Sequence, residues 1–195
     1  MSRYGNYKSA IDFVPKLELK HIVGYLPFGL SAEYKEYLDD NKTDLGAFST
    51  VEITGVDFHH NKILIRNGFV TERDSIKPIL RPISDLTKEI EVNGKKFVPI
   101  VEIIKKVSLI DLSDCFFDVF FEDGHYSVNA ETANRSRVLD CIYFDGNIFS
   151  AIDNGGDFDY LNPQTEAYEF LDKLHFDWKY SLIEKGLAID INALP

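Results

Sequence analysis

The sequence predicts an α+β protein: antiparallel β-hairpins forming a twisted sheet or small sandwich, with a C-terminal amphipathic helix packed on it. Three observations carry this expectation. Short runs of β-branched and aromatic residues recur along most of the chain, broken by Gly, Pro, Asn and Asp. Asn93-Gly94 stands between Ile90-Glu91-Val92 and Phe97-Val98, and a type I′ hairpin turn needs positive φ at both of its central residues. Near the C-terminus, Ala167, Phe170, Leu171 and Leu174 fall at i, i+3, i+4 and i+7, the single apolar stripe of a helix.

Taken in order, residues 1–15 read as an N-terminal arm ending at Pro15. Leu17, Leu19, His21, Val23 and Tyr25 alternate with Glu18, Lys20, Ile22 and Gly24, a strand period, before Pro27 and Gly29 turn the chain. Tyr34, Tyr37 and Leu38 fit strand or helix. Val51 to Thr54 and Lys62 to Arg66 predict a hairpin or meander joined by residues 57–61. Ile79 to Ile83 and Glu91 to Ile104 continue the β pattern, with a helical turn opened by Ser84 between them. Pro78, Pro82 and Pro99 push Lys77, Arg81 and Val98 toward extended backbone. Phe116 to Phe121 should pair with His125 to Val128 across Glu122-Asp123-Gly124, and Val138 to Phe144 with Ile148 to Ile152 across Asp145-Gly146-Asn147. Residues 129–136 and 153–162 read as loops. Asn162 suits an N-cap and Pro163 the first helical position. The helix is expected to extend past Trp178 toward Ile183, with Gly186 as its stop and Leu187, Ile189 and Ile191 alternating as a terminal strand.

Several blocks also carry a resemblance. Ile76 to Ile100, together with Leu17-Glu-Leu-Lys-His21, Tyr25-Leu-Pro-Phe-Gly-Leu30, His175-Phe-Asp177 and Leu182-Ile-Glu-Lys-Gly-Leu-Ala-Ile-Asp-Ile-Asn192, resembles an uncharacterised family of small proteins encoded by bacterial prophages and mobile elements. By that resemblance the matching blocks span about 17–38, 76–104 and 163–193, and the resemblance implies that about 110–160 is specific to this member. The resemblance implies a phage setting and assigns no activity or residue role.

The 195 residues fit a single domain with its own core: an arm to 15, a β-rich part over 16–109, acidic hairpins over 110–160, and a C-terminal helix and strand over 161–195. No apolar run is long enough to cross a bilayer, and the first residues lack the apolar region of a signal peptide, so the expected compartment is the cytoplasm of the bacterial host. Cys115 and Cys141 lack the spacing of a redox pair or zinc knuckle and are expected as buried, reduced thiols rather than a disulfide.

Candidate chemistry is sparse. Asp153, Asp157 and Asp159 surround Gly155-Gly156, but the position where an EF-hand needs a bidentate Glu holds Gln164. His59 and His60 would point to opposite faces if on a strand, a turn would relax that, and no Cys, Asp or Glu is expected at ligand spacing; His125 and His175 read as isolated in the sequence. Asp114 precedes Cys115, and an acidic neighbour is not the electropositive setting that a reactive cysteine needs. No nucleophile elbow or phosphate-binding glycine loop is present. We therefore assign no catalytic residue, metal or cofactor. Lys77, Arg81, Lys88, Lys95, Lys96, Lys105 and Lys106 form a basic excess with only Phe97 interleaved, so direct nucleic-acid binding is not expected. Lysines on hairpin edges also discourage aggregation.

Charge distribution is more informative than total charge. Of the net −11, residues 111–160 carry −9, from 11 acidic and 2 basic residues. Such a block steers a cationic partner or serves solubility. The partner-binding set is Asp111, Asp114, Asp118, Glu122, Asp123, Asp140, Asp145, Asp153, Asp157 and Asp159. The expected partner is a host protein with a cationic surface, such as an RNA-guided nuclease, inhibited in the manner of anti-CRISPR proteins by a nucleic-acid-mimicking field. An alternative is an enzyme or small-ligand protein with a site around Phe116, Tyr126, Tyr143 and Phe149. A virion-associated accessory protein is a third.

Overall fold

The computed structural model describes residues 15–37, 44–68, 70–71, 75–108, 111–134, 137–144, 149–152, 158–159 and 164–195. The architecture is α+β with largely antiparallel sheets. The strands are β1 (Ser31–Tyr37), β2 (Asp44–Asp57), β3 (Lys62–Ile65), β4 (Val70–Thr71), β5 (Ile76–Leu80), β6 (Ile90–Val92), β7 (Lys95–Phe97), β8 (Phe116–Glu122), β9 (His125–Glu131), β10 (Arg137–Phe144), β11 (Phe149–Ile152), β12 (Phe158–Asp159) and β13 (Ile189–Asp190). The helices are α1 (Pro99–Val107) and α2 (Gln164–Lys173). One sheet has the order β13-β5-β1-β2-β3-β4, a second β12-β11-β10-β9-β8, and β6-β7 stand as a separate hairpin. No helix among the described residues is long and apolar enough to cross a membrane.

The hairpins follow turn chemistry. Asn93 and Gly94 take φ of 52° and 76° between β6 and β7, and Asp123 and Gly124 take 51° and 82° between β8 and β9. Both pairs satisfy the positive-φ demand of a type I′ turn. β2 and β3 pair as expected, as do β10 and β11, although the tip of the latter hairpin, 145–148, lies outside the described residues. So do the arm to residue 14 and the helix start at Asn162 and Pro163. The expected loops are shorter than read, since β9 runs to Glu131 and β12 falls within 153–162.

Three expectations fail, each for a physical reason. Residues 17–25 are not a strand but 3-10 turns at Leu19–His21 and Val23–Phe28. Leu19, Ile22 and Tyr25 are buried and Val23 is exposed, so a three-residue period governs burial, and the alternation put Ile22 and Val23 on the wrong faces. Glu91 to Ile104 is a short hairpin and then α1, not continuous β. Pro99 sits at the start of that helix, and Ile100, Ile103, Ile104 and Val107 form a buried i, i+3, i+4, i+7 stripe; β-branched content had hidden the period. Finally, α2 stops at Lys173 instead of continuing past Trp178. His175 adopts φ 57°, its amide donates to the Asp172 carbonyl, and the Phe176 amide donates to the Leu171 carbonyl. These two bonds, with Leu171 and Phe176 buried in one cluster, make a Schellman ending in which histidine takes the position glycine usually holds. Gly186, with φ 69°, closes a separate single turn over 182–187. Between β5 and β6, the 3-10 turn Ile83–Thr87 follows Pro82, with no side-chain cap from Ser84.

Two apolar clusters result. The first, including Ile22, Tyr25, Leu30, Ile53, Ile63 and Leu80, underlies the six-stranded sheet. The second places α1 and α2 with Leu86 and Leu112 against Val128 and Ala130 of β9. The C-terminal segment joins them: Leu171 and Phe176 belong to the second cluster, Leu182 and Ala188 to the first. β13 then adds parallel to β5, pairing Ile189 with Ile79.

Candidate partner-binding surface

β8 is the end strand of its sheet and pairs with β9 in unbroken register from Phe116–Glu131 to Glu122–His125. Strand alternation places Phe117, Val119 and Phe121 on the inner face with Ala130, Val128 and Tyr126. Phe117 and Val119 reach the second apolar cluster there, and the Phe121 ring lies 4.6 Å from that of Tyr126. The outer face therefore carries Phe116, Asp118, Phe120 and Glu122. Phe116 is 69% exposed and Phe121 57%.

Asp114, Asp118, Glu122 and Asp123 are exposed, and none forms an ion pair with a described residue. Asp111 is also exposed but engaged locally: its Oδ1 accepts from the Ser113 amide at 3.0 Å, and Ser113 holds its carboxyl below the ordinary carboxylate pKa. The structure thus brings five of the ten sequence-predicted carboxylates to one strand, its turn and the chain entering it. Asp140 and Asp159 lie on β10 and β12, where only the backbone is described, and Asp145, Asp153 and Asp157 fall outside the described residues. The aromatic quartet proposed as a ligand site is divided. Phe116 is on the outer face and Tyr126 on the inner, while the side chains of Tyr143 and Phe149 are outside the described set. Among the described residues no three of His, Cys, Asp and Glu gather as metal ligands.

Sequence reasoning missed a second polar feature, a set of buried charges where the two clusters meet. Asp172, 9% exposed, accepts from Trp178 Nε1 at 2.8 Å and from Lys179 Nζ at 2.7 and 3.0 Å. Lys179 lies 4.4 Å over the Trp178 ring, and Trp178 stacks on Tyr168. Gly24 lets the 3-10 turn approach this pair, since a Cβ there would meet Lys179 Nζ at 3.1 Å and Asp172 Oδ2 at 3.3 Å. Tyr25 donates its hydroxyl to the Phe176 carbonyl at 2.8 Å, and burial, with Asp177 and Asp172 nearby, raises its phenol far above the usual value. Asp177 accepts the Ile183 amide at 2.7 Å.

Asp85, 3% exposed, accepts from Lys88 at 2.9 Å and from Asn192 at 2.7 Å, with Arg81 at 3.5 Å. Burial pushes its carboxyl up, but the Asn192 and Lys88 hydrogen bonds and the two cations outweigh it, leaving the pKa lowered. An open cleft of about 530 Å³ beside it is lined by Arg81, Asp85, Lys88, Glu89, Glu91 and Asn192, among others. Asp85 and Asp172 are each met by cations and donors of this chain, as expected of charges that hold segments together, whereas Asp177 Oδ1, Arg81 Nε and His175 Nε2 are buried with no hydrogen-bond partner among the described residues. The nearest signal in the sequence was the density of Asp, Lys and Trp over 172–179, which helical periodicity absorbed. Searches against family models, curated proteins and solved structures found no match for this chain.

Proposed function

We propose that this chain is a non-catalytic phage or prophage accessory protein that binds a host protein through an acidic surface, as an anti-CRISPR-type inhibitor of an RNA-guided defence nuclease. The single observation that carries this is the contrast in how carboxylates are used. Asp85 and Asp172 are buried and matched by Lys, Arg, Asn or Trp, whereas Asp114, Asp118, Glu122 and Asp123 are exposed with no described cation against them. Carboxylates that do not stabilise their own fold remain available to another molecule's cations. A β-platform holds them at strand spacing, with Asp118 and Glu122 on one face about 13 Å apart. Such a field occupies a cationic nucleic-acid channel without an active site, and gives association its rate and salt dependence.

The test is binding of the intact protein to a guide-loaded RNA-guided nuclease of the bacterial host across a salt series. Affinity is expected to fall steeply as ionic strength shortens the Debye length from about 10 Å to about 3 Å. The triple substitution Asp118→Asn, Glu122→Gln, Asp123→Asn should slow association about tenfold or more while leaving the melting temperature unchanged, because all three side chains are exposed. Salt-insensitive binding, or an unaltered association rate in the triple variant, would count decisively against the proposal.

A further inference from the structure

We propose that the edge of β8 that faces away from β9 accepts one extended basic segment of the partner protein as an added β-strand, an inference that rests on the acidic-surface function proposed above and specifies its geometry. Among the described residues no strand pairs with that edge, and no backbone hydrogen bond outside the β8–β9 ladder reaches residues 116–122. The closed two-residue turn makes Glu122–His125 a hydrogen-bonded pair, so ladder alternation turns the amides and carbonyls of Phe117, Val119 and Phe121 outward. Natural edges are blunted by charged side chains, especially Lys, by Pro, by bulges or by brevity. β8 is seven residues of Phe-Phe-Asp-Val-Phe-Phe-Glu with no Lys or Pro, its register has no shift, unlike β1–β2, β2–β3 and β9–β10, and its two charges, Asp118 and Glu122, oppose neutral or acidic strands but not a basic one.

Charge selects the occupant. A second copy would bring its own Asp114, Asp118, Glu122 and Asp123 against this set, and facing carboxylates repel. A basic strand has the opposite outcome. Residues directly across Asp118 and Glu122 lie four apart on one face of the added strand, so they should be Lys or Arg. The residue between them meets Phe120, and those on the other face meet Val119 and Phe121. The predicted recognition pattern is basic, apolar, apolar, apolar, basic, with main-chain bonds giving affinity and alternate side chains giving selectivity.

The probe is a capped seven-residue peptide with lysines at its second and sixth positions, valines between them and threonines at the ends, labelled and titrated with the intact protein at low salt. If the segment adds antiparallel with its lysines across from Asp118 and Glu122, the amides of the third and fifth residues face β8. N-methylating those two should weaken binding about tenfold or more, while N-methylating the second, fourth and sixth should leave it within about twofold. Equal effects of the two methylation patterns, with binding still salt-dependent, overturn strand addition and leave the acidic-surface function standing. Failure of the lysine peptide to bind also overturns strand addition, and the function is then judged by the nuclease titration alone. Equal binding of a peptide with glutamates in place of the lysines overturns the charge selection on which both depend.

Discussion

His175 shows how a single residue links chain direction to pH. It holds a left-handed backbone position at the end of α2, its ring lies 6.3 Å from that of Tyr25, and burial lowers its pKa against the opposing hydrogen bond to the Phe28 carbonyl; Arg81 lowers it further and Asp172 raises it. The folded protein thus favours neutral imidazole, and the unfolded chain binds more protons below the ordinary pKa of about 6.5. This contribution to stability is fully present above that pH and is lost as pH falls toward the folded pKa. His175→Asn tolerates the same backbone conformation. Melting temperatures measured from pH 7.5 to 5 should therefore decline less steeply in that variant than in the parent, and parallel curves would refute the assignment. Asp172→Ala leaves Lys179 and Trp178 Nε1 without their buried acceptor and should cost about 3 kcal/mol in urea unfolding. The sequence contains both residues plainly. It does not indicate that Asp172 turns inward, because helical periodicity describes apolar positions and says nothing of a carboxylate whose partners arrive from residues 178 and 179.

At the scale of elements, turns were the most legible. Asn93-Gly94 and Asp123-Gly124 encode their hairpins locally, since few residue pairs accept positive φ twice. α1 was the least legible. Its nine residues contain two valines and three isoleucines, and β-branched side chains suit strands unless a buried stripe on neighbouring elements rewards the helical period. Ile103 on that stripe is fully buried, so Ile103→Ala should destabilise by about 3 kcal/mol, read as a lower urea midpoint with an unchanged slope. β8 falls between these cases. Its pairing with β9 was legible and half of the acidic set was placed on or beside it, but the position of β8 at the edge of its sheet depends on the other four strands.

For the whole molecule, the segment from Leu171 to Ala188 contributes to both apolar clusters, and the Phe176 carbonyl receives the Tyr25 hydroxyl from the other side of the joint. Neither cluster keeps its contacts once that segment leaves. Unfolding followed by tryptophan fluorescence at Trp178 and by far-UV circular dichroism should give coincident transitions, and Phe176→Ala should lower the midpoint of both together by the equivalent of about 3–5 kcal/mol. Two separated transitions would show that the clusters fold independently. By itself the sequence determined the α+β class, the hairpin turns, the apolar stripe of α2 and the concentration of negative charge after residue 110, because each depends on residues within one or two turns of each other. Tertiary structure alone decided that residues 17–25 form 3-10 turns, that α2 is closed by a histidine, that Asp85 and Asp172 are interior, and that Asp118 and Glu122 stand on the end strand of their sheet. Those outcomes are set by burial and by partners distant along the chain, which local periodicity does not contain.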